Sequence, residues 1–191
     1  SEHTMIVLTS DHGDYFGDYW LGEKDLFHDS VTRVPLIIMD PTRAADESHG
    51  TQCEELTCAI DLVPTFVEWT GGEPQWQWLE GQSLLPILRH TQPLVSSSDV
   101  RSYVVGECDY SVMNFAGELG RNSYNARMTM LFDGRYKYIH CLGFKPMLYD
   151  LQENPQELVD FSIDKDYAVV RSQLTEQMMD WSAGLKNRVT G

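Results

Sequence analysis

Two short apolar runs open the hydrophobic pattern of this 191-residue chain. "TMIVLTS" and "RVPLIIMDP" are continuous and rich in β-branched residues, which is typical of strands buried in an α/β sheet. The first run therefore predicts a buried parallel strand. A long loop with several glycines and aromatics, "DHGDYFGDYWLGEKDLF", follows the carboxyl end of that strand, where open α/β sheets place their ligands. We expect the chemistry of the chain to be concentrated in this loop.

The next periodic segment predicts a helix. Asp61 has the residue type and the position of a helix N-cap. Pro64 falls in the first turn, where its missing N–H group does no harm. "TFVEWTGG" completes the helix, and Gly71 or Gly72 is expected to end it.

The second half of the chain carries a different pattern. Short strand-like runs follow one another, and the turn signal in "DGRYKYI" predicts a hairpin between two of them. Residues 166–186 are predicted to form a terminal helix, because apolar side chains recur there at helical spacing. These side chains are Val169, Leu174, Met178, Trp181 and Leu185. "HTQPLVSSSD" is polar and contains proline, so it marks the boundary between domains predicted at 1–92 and 93–191.

The charge balance narrows the range of partners. The chain has 29 acidic and 14 basic residues, which gives a formal net charge of −15. Such a field repels nucleic acid and anionic membrane surfaces, so neither is an expected partner. An anionic substrate would require a local positive charge, which a bound divalent cation supplies. An alternative explanation of the acidic surface is solubility alone.

Motifs of other common sites are absent from the sequence. The four cysteines, Cys53, Cys58, Cys108 and Cys141, include no C-x-x-C pair, so neither a zinc ribbon nor a thioredoxin-type site is indicated. We expect buried, reduced thiols, with disulfides as the open alternative. There is no P-loop, no G-x-S-x-G and no H-E-x-x-H. An EF-hand loop starting at Asp11 would lack the Asp or Asn required at its third and fifth positions.

Asp11 and His12, in "TSDHGD", are the first candidate site residues. A carboxylate oxygen and an imidazole nitrogen are good ligands of divalent metals. Neighbouring residues of a strand point to opposite faces, so the two can share an ion only where the strand ends and the chain turns, which Gly13 permits. Adjacent Asp and His also occur by chance in polar loops. Asp14 and Asp18 could join a metal shell, although they also have the character of solvated loop acids.

Four segments, in order along nearly the whole chain, resemble the sulfatase branch of the alkaline phosphatase superfamily. They are "TSDHGDYFGDYWLGEK…RVPLI", "IDLVPTFVEWTGG", "GQSLLPIL" and "DGRYKYIHCLGFKPMLYDLQENPQEL". Within that branch, "ECDYS" and "GFKPMLYDL" are most similar to the phosphonate monoester hydrolases, also called phosphodiesterase-like arylsulfatases. The resemblance implies the C-terminal part of an alkaline-phosphatase-like α/β fold. In that fold, a mixed sheet with flanking helices is followed by a small antiparallel sheet and a C-terminal helix.

The resemblance also implies roles for individual residues. Asp11 and His12 match the family's second pair of metal ligands. Lys24 matches the lysine that contacts the phosphate or sulfate oxygens and the nucleophile, a role that suits an ammonium group. True sulfatases often have Asn where this chain has His12, which favours a phosphonate or phosphate ester hydrolase. The implied cofactor is a divalent metal, Mn, Zn or Ca, and the implied substrate is a small anionic ester.

Further candidates lie in the same loop. His28, four residues after Lys24, is a candidate proton donor to a leaving group, or else an ordinary polar histidine of a loop or helix surface. Tyr15 and Trp20 are candidate substrate contacts, although covering of the sheet edge would explain these aromatics equally well. Arg33 is expected to fix the loop by ion pairing.

Two parts of the family's active site have no match in these residues. The formylglycine nucleophile, made from Cys or Ser in a "C-x-P-x-R" type motif, is expected in a missing N-terminal part, together with the first pair of metal ligands. We therefore predict the C-terminal portion of a metal-dependent ester hydrolase, inactive in isolation. The alternative is a non-catalytic binding or structural module derived from this family. A sheet cut in this way would expose an edge or an apolar face, so homo-oligomerisation is a further expectation.

Overall fold

The computed structural model describes residues 3–75, 77–89, 101–110 and 126–189, and the side chains as far as residue 184. The chain divides into two compact units, one formed by Ser1–Gly13 and Thr32–Arg101, the other by Asp14–Val31 and Ser102–Gly191. The boundary predicted at "HTQPLVSSSD" lies outside the described residues, and the division into 1–92 and 93–191 stays a prediction.

Helices and strands alternate in the first half of the chain, and strands dominate the second. Within the described ranges they are β1 (Ile6–Thr9), α1 (Asp29–Thr32), β2 (Leu36–Met39), α2 (Leu62–Trp69), α3 (Leu85–Leu88), β3 (Val104–Asp109), β4 (Arg127–Phe132), β5 (Tyr136–Cys141), β6 (Met147–Asp150) and α4 (Ala168–Val189). Short 3₁₀ helices lie at Asp18–Trp20, Arg43–Ser48 and Ala59–Asp61. Among the helices described, none is both long and apolar enough to cross a bilayer.

In the first unit, β1 and β2 form an antiparallel two-stranded ribbon. Leu8 lies opposite Ile37, and Ile6 lies opposite Met39. The prediction of a buried parallel strand at β1 is wrong, since the pairing is antiparallel and Ile6 and Leu8 are 57% and 55% exposed. Side chains alternate between the two faces of a strand, so Ile6 and Leu8 lie on the same face, and more than half of each is exposed. Unbroken apolarity therefore did not indicate burial within this chain.

Asp61 joins three segments of the first unit, and its side chain does not cap α2. Its carboxylate accepts hydrogen bonds from the N–H groups of Cys58 (2.7 Å) and Gln82 (2.8 Å), and from both terminal nitrogens of Arg101 (2.9 and 2.6 Å). Asp61 does occupy the N-cap position of α2 as predicted, but its side chain makes no capping hydrogen bond to that helix, because α2 continues directly from the 3₁₀ helix Ala59–Asp61 and Asp61 itself has helical backbone angles. Its side chain turns back toward the loop that precedes the helix.

The end of α2 follows the prediction. Gly71 has a φ of +83°, its N–H donates to the carbonyl of Glu68, and the N–H of Gly72 donates to that of Val67. This is the Schellman arrangement, which a glycine at the left-handed position makes possible. Pro64 is the third residue of the helix, within the first turn as expected.

Asp40, directly after β2, connects the ends of α2 and α3 to the two-stranded ribbon. Its buried carboxylate accepts hydrogen bonds from Nε1 of Trp69 (3.1 Å) and Nε of Arg89 (3.0 Å). Burial opposes ionisation of this carboxyl, but the N–H of Thr42, the indole and the guanidinium together hold its pKa below the ordinary value. An ionised, fully bonded carboxylate can therefore lie in the interior.

The second unit contains a four-stranded antiparallel sheet in the order β3-β4-β5-β6. The predicted hairpin is confirmed at β4 and β5. Its turn places Gly134 at a φ of +97°, and Asp133 accepts hydrogen bonds from the N–H groups of Arg135 and Tyr136. Gly is the residue that reaches this backbone region without strain.

Arg135 then connects this turn to the end of β6. Its guanidinium donates from two nitrogens to the buried carboxylate of Asp150, at 3.0 and 2.7 Å. Burial works against the charge of Asp150, yet the arginine and the N–H groups of Glu153 and Gln152 keep its pKa below the usual range. Arg135 of "RYKY" and Asp150 of "LYDL", two segments on which the family resemblance depends, therefore form a structural ion pair.

Apolar side chains project from both faces of the sheet, because successive residues of a strand point to opposite faces. One face packs against α4, through Leu131, Tyr138, Leu148, Leu174 and Met178. The other face packs against Phe27, through Met130, Ile139, Cys141 and Tyr149. The terminal helix is confirmed, but Val169 is exposed and Val170 packs inward in its place. The side chain of Leu185 lies outside the described residues.

All four cysteines are free thiols, and the predicted burial holds for one of them. Cys141 is buried in the sheet and Cys53 is exposed. Burial raises the pKa of Cys141 and of Cys58, so these two thiols stay protonated near neutral pH.

Gly81 provides a test of the packing beside Asp61. A Cβ atom at this position would lie 2.1 Å from the carbonyl oxygen of Ile60. We expect Gly81→Ala to lower the free energy of unfolding by about 3 kcal/mol, because the backbone must move to relieve the clash. Urea unfolding followed by circular dichroism measures the change. Gly184→Ala in α4, where nothing lies within 4 Å, is the control and should not destabilise; equal effects of the two substitutions would contradict the packing.

Candidate functional site

Asp11 and His12 lie in the first unit, just beyond the end of β1. The hydroxyl of Ser10 donates to the carbonyl of His12 (2.7 Å), and the N–H of His12 donates to Oδ1 of Asp11 (3.0 Å). These bonds turn the chain as it leaves the strand. Oδ2 of Asp11 and Nε2 of His12 are consequently 3.4 Å apart, on the same side of the chain.

The hydrogen bonding of His12 favours a ligand role for its outer nitrogen. Nδ1 lies 2.7 Å from the carbonyl oxygen of Gly13, which can only accept, so Nδ1 carries the proton. In the neutral ring Nε2 then has the lone pair. Two ligand atoms about 2.1 Å from a tetrahedral ion are about 3.4 Å apart, so the pair with Asp11 fits a shared metal. The same distance also suits an ion pair with a protonated ring.

The pair does not form a complete metal site by itself. In the described part of the chain, no group of three or more His, Cys, Asp or Glu side chains could hold an ion. The side chain of Asp11 is 83% exposed and that of His12 is 35% exposed, so both are accessible to additional ligands. This donor set is half of what a four-coordinate site requires.

The loop after Gly13 belongs to the second unit and has an unusual backbone. The residues with left-handed φ angles are Phe16, Gly17, Tyr19, Trp20 and Glu23. For non-glycine residues this conformation costs about 1 kcal/mol each, and it persists only where the surroundings impose it. Internal hydrogen bonds join the two arms, from the N–H of Tyr15 to Glu23 and from that of Gly17 to Leu21, both at 3.0 Å.

The predicted site residues of this loop fall into two groups. Trp20 is fully exposed, and Lys24 is also exposed. Tyr15 and His28 are buried instead, and Oη of Tyr15 lies 2.8 Å from Nδ1 of His28. The structure therefore brings Tyr15 and His28 together in the interior of the unit. The roles predicted for these four residues stay predictions.

His28 lies among aromatic rings, and its charge state follows from that. The ring of Tyr19 stacks on it at 4.1 Å, and that of Tyr149 lies at 5.7 Å. Burial lowers the pKa of His28, and although Glu157 opposes this effect, the net shift is downward. Burial also raises the pKa of Tyr15 to about 12. Near neutral pH the imidazole and the phenol are both uncharged, and the two groups pair with each other as hydrogen-bond donor and acceptor.

Sequence analysis missed a buried ion cluster beside this loop. The ammonium of Lys137, which is 1% exposed, donates to Asp29 Oδ1 and to Glu157 Oε1, both at 2.6 Å. The N–H of Asp29 donates to the other carboxylate oxygen of Glu157, also at 2.6 Å. One signal was available, because the alternation of β5 places Lys137 on the same face as the buried Ile139. A lysine at a core position requires buried partners.

Comparison with known proteins gives a consistent family. A family model described as N-sulphoglucosamine sulphohydrolase, C-terminal, matches residues 17–184. The multifunctional alkaline phosphatase superfamily protein PehA of Trinickia caryophylli is 30% identical over 184 residues, which make up 94% of this chain and 34% of that protein. Choline-sulfatase of Rhizobium meliloti is 29% identical, over 91% of this chain and 30% of its own length. The chain thus spans about a third of the length of these curated relatives.

A solved structure agrees with the sequence relatives. The phosphonate monoester hydrolase of Agrobacterium radiobacter matches with a TM-score of 0.85 and 33% identity, over 96% of this chain and 36% of its own. The predicted resemblance to sulfatases and phosphonate monoester hydrolases is confirmed, and so is the predicted fold class.

The buried ammonium of Lys137 gives a prediction for the stability of the second unit. Lys137→Met should lower the free energy of unfolding by about 3 kcal/mol, because it leaves the buried carboxylate of Glu157 and the partly buried one of Asp29 without their cation. Arg127→Met is the matched control on the neighbouring strand, since Arg127 pairs with Asp109 at 2.9 Å but is largely exposed. It should cost less than about 1 kcal/mol. Thermal unfolding of both variants measures the difference, and similar losses would contradict a special role of the buried cluster.

Proposed function

The chain belongs to the N-sulphoglucosamine sulphohydrolase C-terminal family, a sulfatase family, and on that basis we propose that it is the C-terminal part of a metal-dependent hydrolase. The substrates would be small anionic esters of phosphonate, phosphate or sulfate. Relatives named as a phosphonate monoester hydrolase and as a choline-sulfatase support an ester of phosphorus or sulfur. Because the chain spans only about a third of such proteins, the activity would belong to the longer polypeptide.

The observation that carries this proposal is the 3.4 Å pairing of Asp11 Oδ2 with His12 Nε2. These two atoms would hold the ion, together with ligands from outside the described residues. Manganese and zinc suit an imidazole–carboxylate pair, and calcium is the alternative when further oxygen ligands join. When bound, the ion would supply positive charge that polarises an ester oxygen. Ser10 and Gly13 fix the orientation of the pair through their hydrogen bonds to His12.

Lys24 would contact the ester oxygens. Its exposed ammonium can donate hydrogen bonds to the non-bridging oxygens and can stabilise the negative charge that grows as the ester bond breaks. With a net charge of −15 on the chain, a local cation is also needed to attract an anionic substrate. Trp20, fully exposed in the same loop, would contact the organic part of the ester.

The nucleophile would come from another segment of the polypeptide, as a formylglycine if the family pattern holds. None of the four cysteines in this chain lies in the required motif. We therefore expect the 191-residue chain alone to hydrolyse no ester above background.

The test compares the 191-residue chain with the longest polypeptide that its gene encodes. Both are assayed with an aryl phosphonate monoester, an aryl phosphodiester and an aryl sulfate. Only the longer protein should show turnover, and Lys24→Met should lower its kcat/KM about 100-fold, as for removal of one oxyanion-stabilising donor. Lys145→Met, which removes another exposed lysine, is the control and should leave kcat/KM unchanged. Asp11→Ala should also lower the metal content of the purified protein.

Two results would overturn parts of this proposal. Clear turnover by the 191-residue chain would show that its site is complete. Absence of ester hydrolysis in the longer protein, with metal content unaffected by Asp11→Ala, would favour the non-catalytic binding or structural module.

A further inference from the structure

Three aromatic side chains attach the 14–24 loop to the rest of the second unit. Tyr15 is fully buried, and its hydroxyl lies 2.8 Å from Nδ1 of His28. The ring of Tyr19 stacks on the imidazole with an interplanar angle of 16° and meets Tyr15 edge-on at 5.8 Å. The hydroxyl of Tyr19 donates to the carbonyl of Gln156 at 2.9 Å. The loop is thus attached at two points along its length.

The side chains beside these two tyrosines point the other way. Phe16 and Trp20 directly follow Tyr15 and Tyr19, and both are almost completely exposed. Their left-handed backbone angles separate the inward and outward side chains over so short a segment. Such a conformation persists only where the surrounding contacts impose it. The contacts of Tyr15 and Tyr19 impose it here, together with the backbone hydrogen bonds inside the loop.

His28, in turn, is fixed by the residue that follows it. Asp29 donates its N–H to Glu157 and accepts a hydrogen bond from Lys137, each at 2.6 Å. The backbone of His28 is therefore connected directly to the ion cluster formed by Asp29, Glu157 and Lys137 of β5. The attachment runs from the sheet through Asp29 to His28, and from His28 to the two tyrosines.

Packing alone does not require the polar atoms of this cluster. A phenylalanine would fill the volume of Tyr15 equally well, whereas a buried hydroxyl or imidazole nitrogen is costly unless it is hydrogen-bonded. The pair of Tyr15 and His28 satisfies both groups with one short bond across 13 residues of sequence. Such a bond specifies one loop conformation, because an alternative conformation would leave two polar groups unpaired.

We propose that Tyr15, Tyr19 and His28 are positioning residues that hold the loop bearing Trp20 and Lys24 in a single conformation. The effect on catalysis, which acts through Lys24, rests on the proposed function. The effect on the conformation of the loop does not. In this proposal His28 supports the loop and does not contact the substrate. The three side chains would be needed for the placement of Lys24, although none of them touches the ester.

The test begins with hydrogen exchange in the 191-residue chain. Tyr15→Phe removes only the hydroxyl, and we expect the N–H groups of residues 15–23 to exchange roughly tenfold faster while those of the sheet are unchanged. Tyr167→Phe is the matched control, since it removes a hydroxyl that contacts Asp150 at 3.3 Å elsewhere in the same unit. It should leave the exchange of the loop unaltered.

Two substitutions of His28 make the test independent of folding defects. His28→Asn can keep a hydrogen-bonding atom near the position of Nδ1 and should retain most of the protection, whereas His28→Leu keeps the bulk and should lose it. Equal protection in the two variants would show that the hydrogen bond does not position the loop. A uniform loss of protection in loop and sheet after Tyr15→Phe would reduce the cluster to general packing.

Kinetics of the longest encoded protein then separate this role from the proposed function. Tyr15→Phe should lower kcat about tenfold and change KM less than about twofold, because misplacement of Lys24 affects mainly the transition state. If no ester is hydrolysed by the wild-type protein, the proposed function fails, and the exchange data still decide the positioning role. If esters are hydrolysed but Tyr15→Phe changes neither loop exchange nor kcat, the positioning role fails.

Discussion

The second unit depends on a lysine ammonium that has almost no contact with solvent. Lys137 lies between the carboxylates of Asp29 and Glu157 at 2.6 Å from each, and so joins three separate segments of the chain. Moving such charges out of water is costly, and the cost is offset only when the geometry is good and the remaining donors and acceptors are satisfied. The N–H of Asp29 completes this arrangement by bonding to Glu157. The cluster fixes, at Asp29, the segment that follows the 14–24 loop against the sheet.

Much of the fold was predictable because its determinants are local. The hairpin follows from the turn around Gly134, the end of α2 from Gly71, and the terminal helix from its apolar spacing. The errors concern residues whose partners are distant in sequence. Asp61 was assigned to the helix that follows it, whereas its carboxylate binds Gln82 and Arg101. The apolar run of β1 predicted burial, but burial depends on what covers the strand and not on the strand itself.

The candidate site shows the same division. Asp11 and His12 could be predicted as a pair because they are adjacent and follow a strand, and the turn at Ser10 brings their polar atoms together. Whether an aromatic residue of the loop faces inward or outward could not be predicted, because it depends on individual left-handed backbone angles. Tyr15 is consequently buried, whereas Trp20 is exposed. The sequence pattern gave both residues the same role.

The central claim is that the 14–24 loop is rigid. It holds little regular secondary structure and has several residues with left-handed backbone angles. Amide hydrogen exchange of the unmodified chain tests this most directly. The N–H groups of Tyr15, Gly17 and Leu21 are hydrogen-bonded within the loop. We predict that they exchange at least about 100-fold more slowly than an unstructured peptide, close to the rates of the neighbouring sheet. Exchange at the rate of an unstructured peptide would contradict the account.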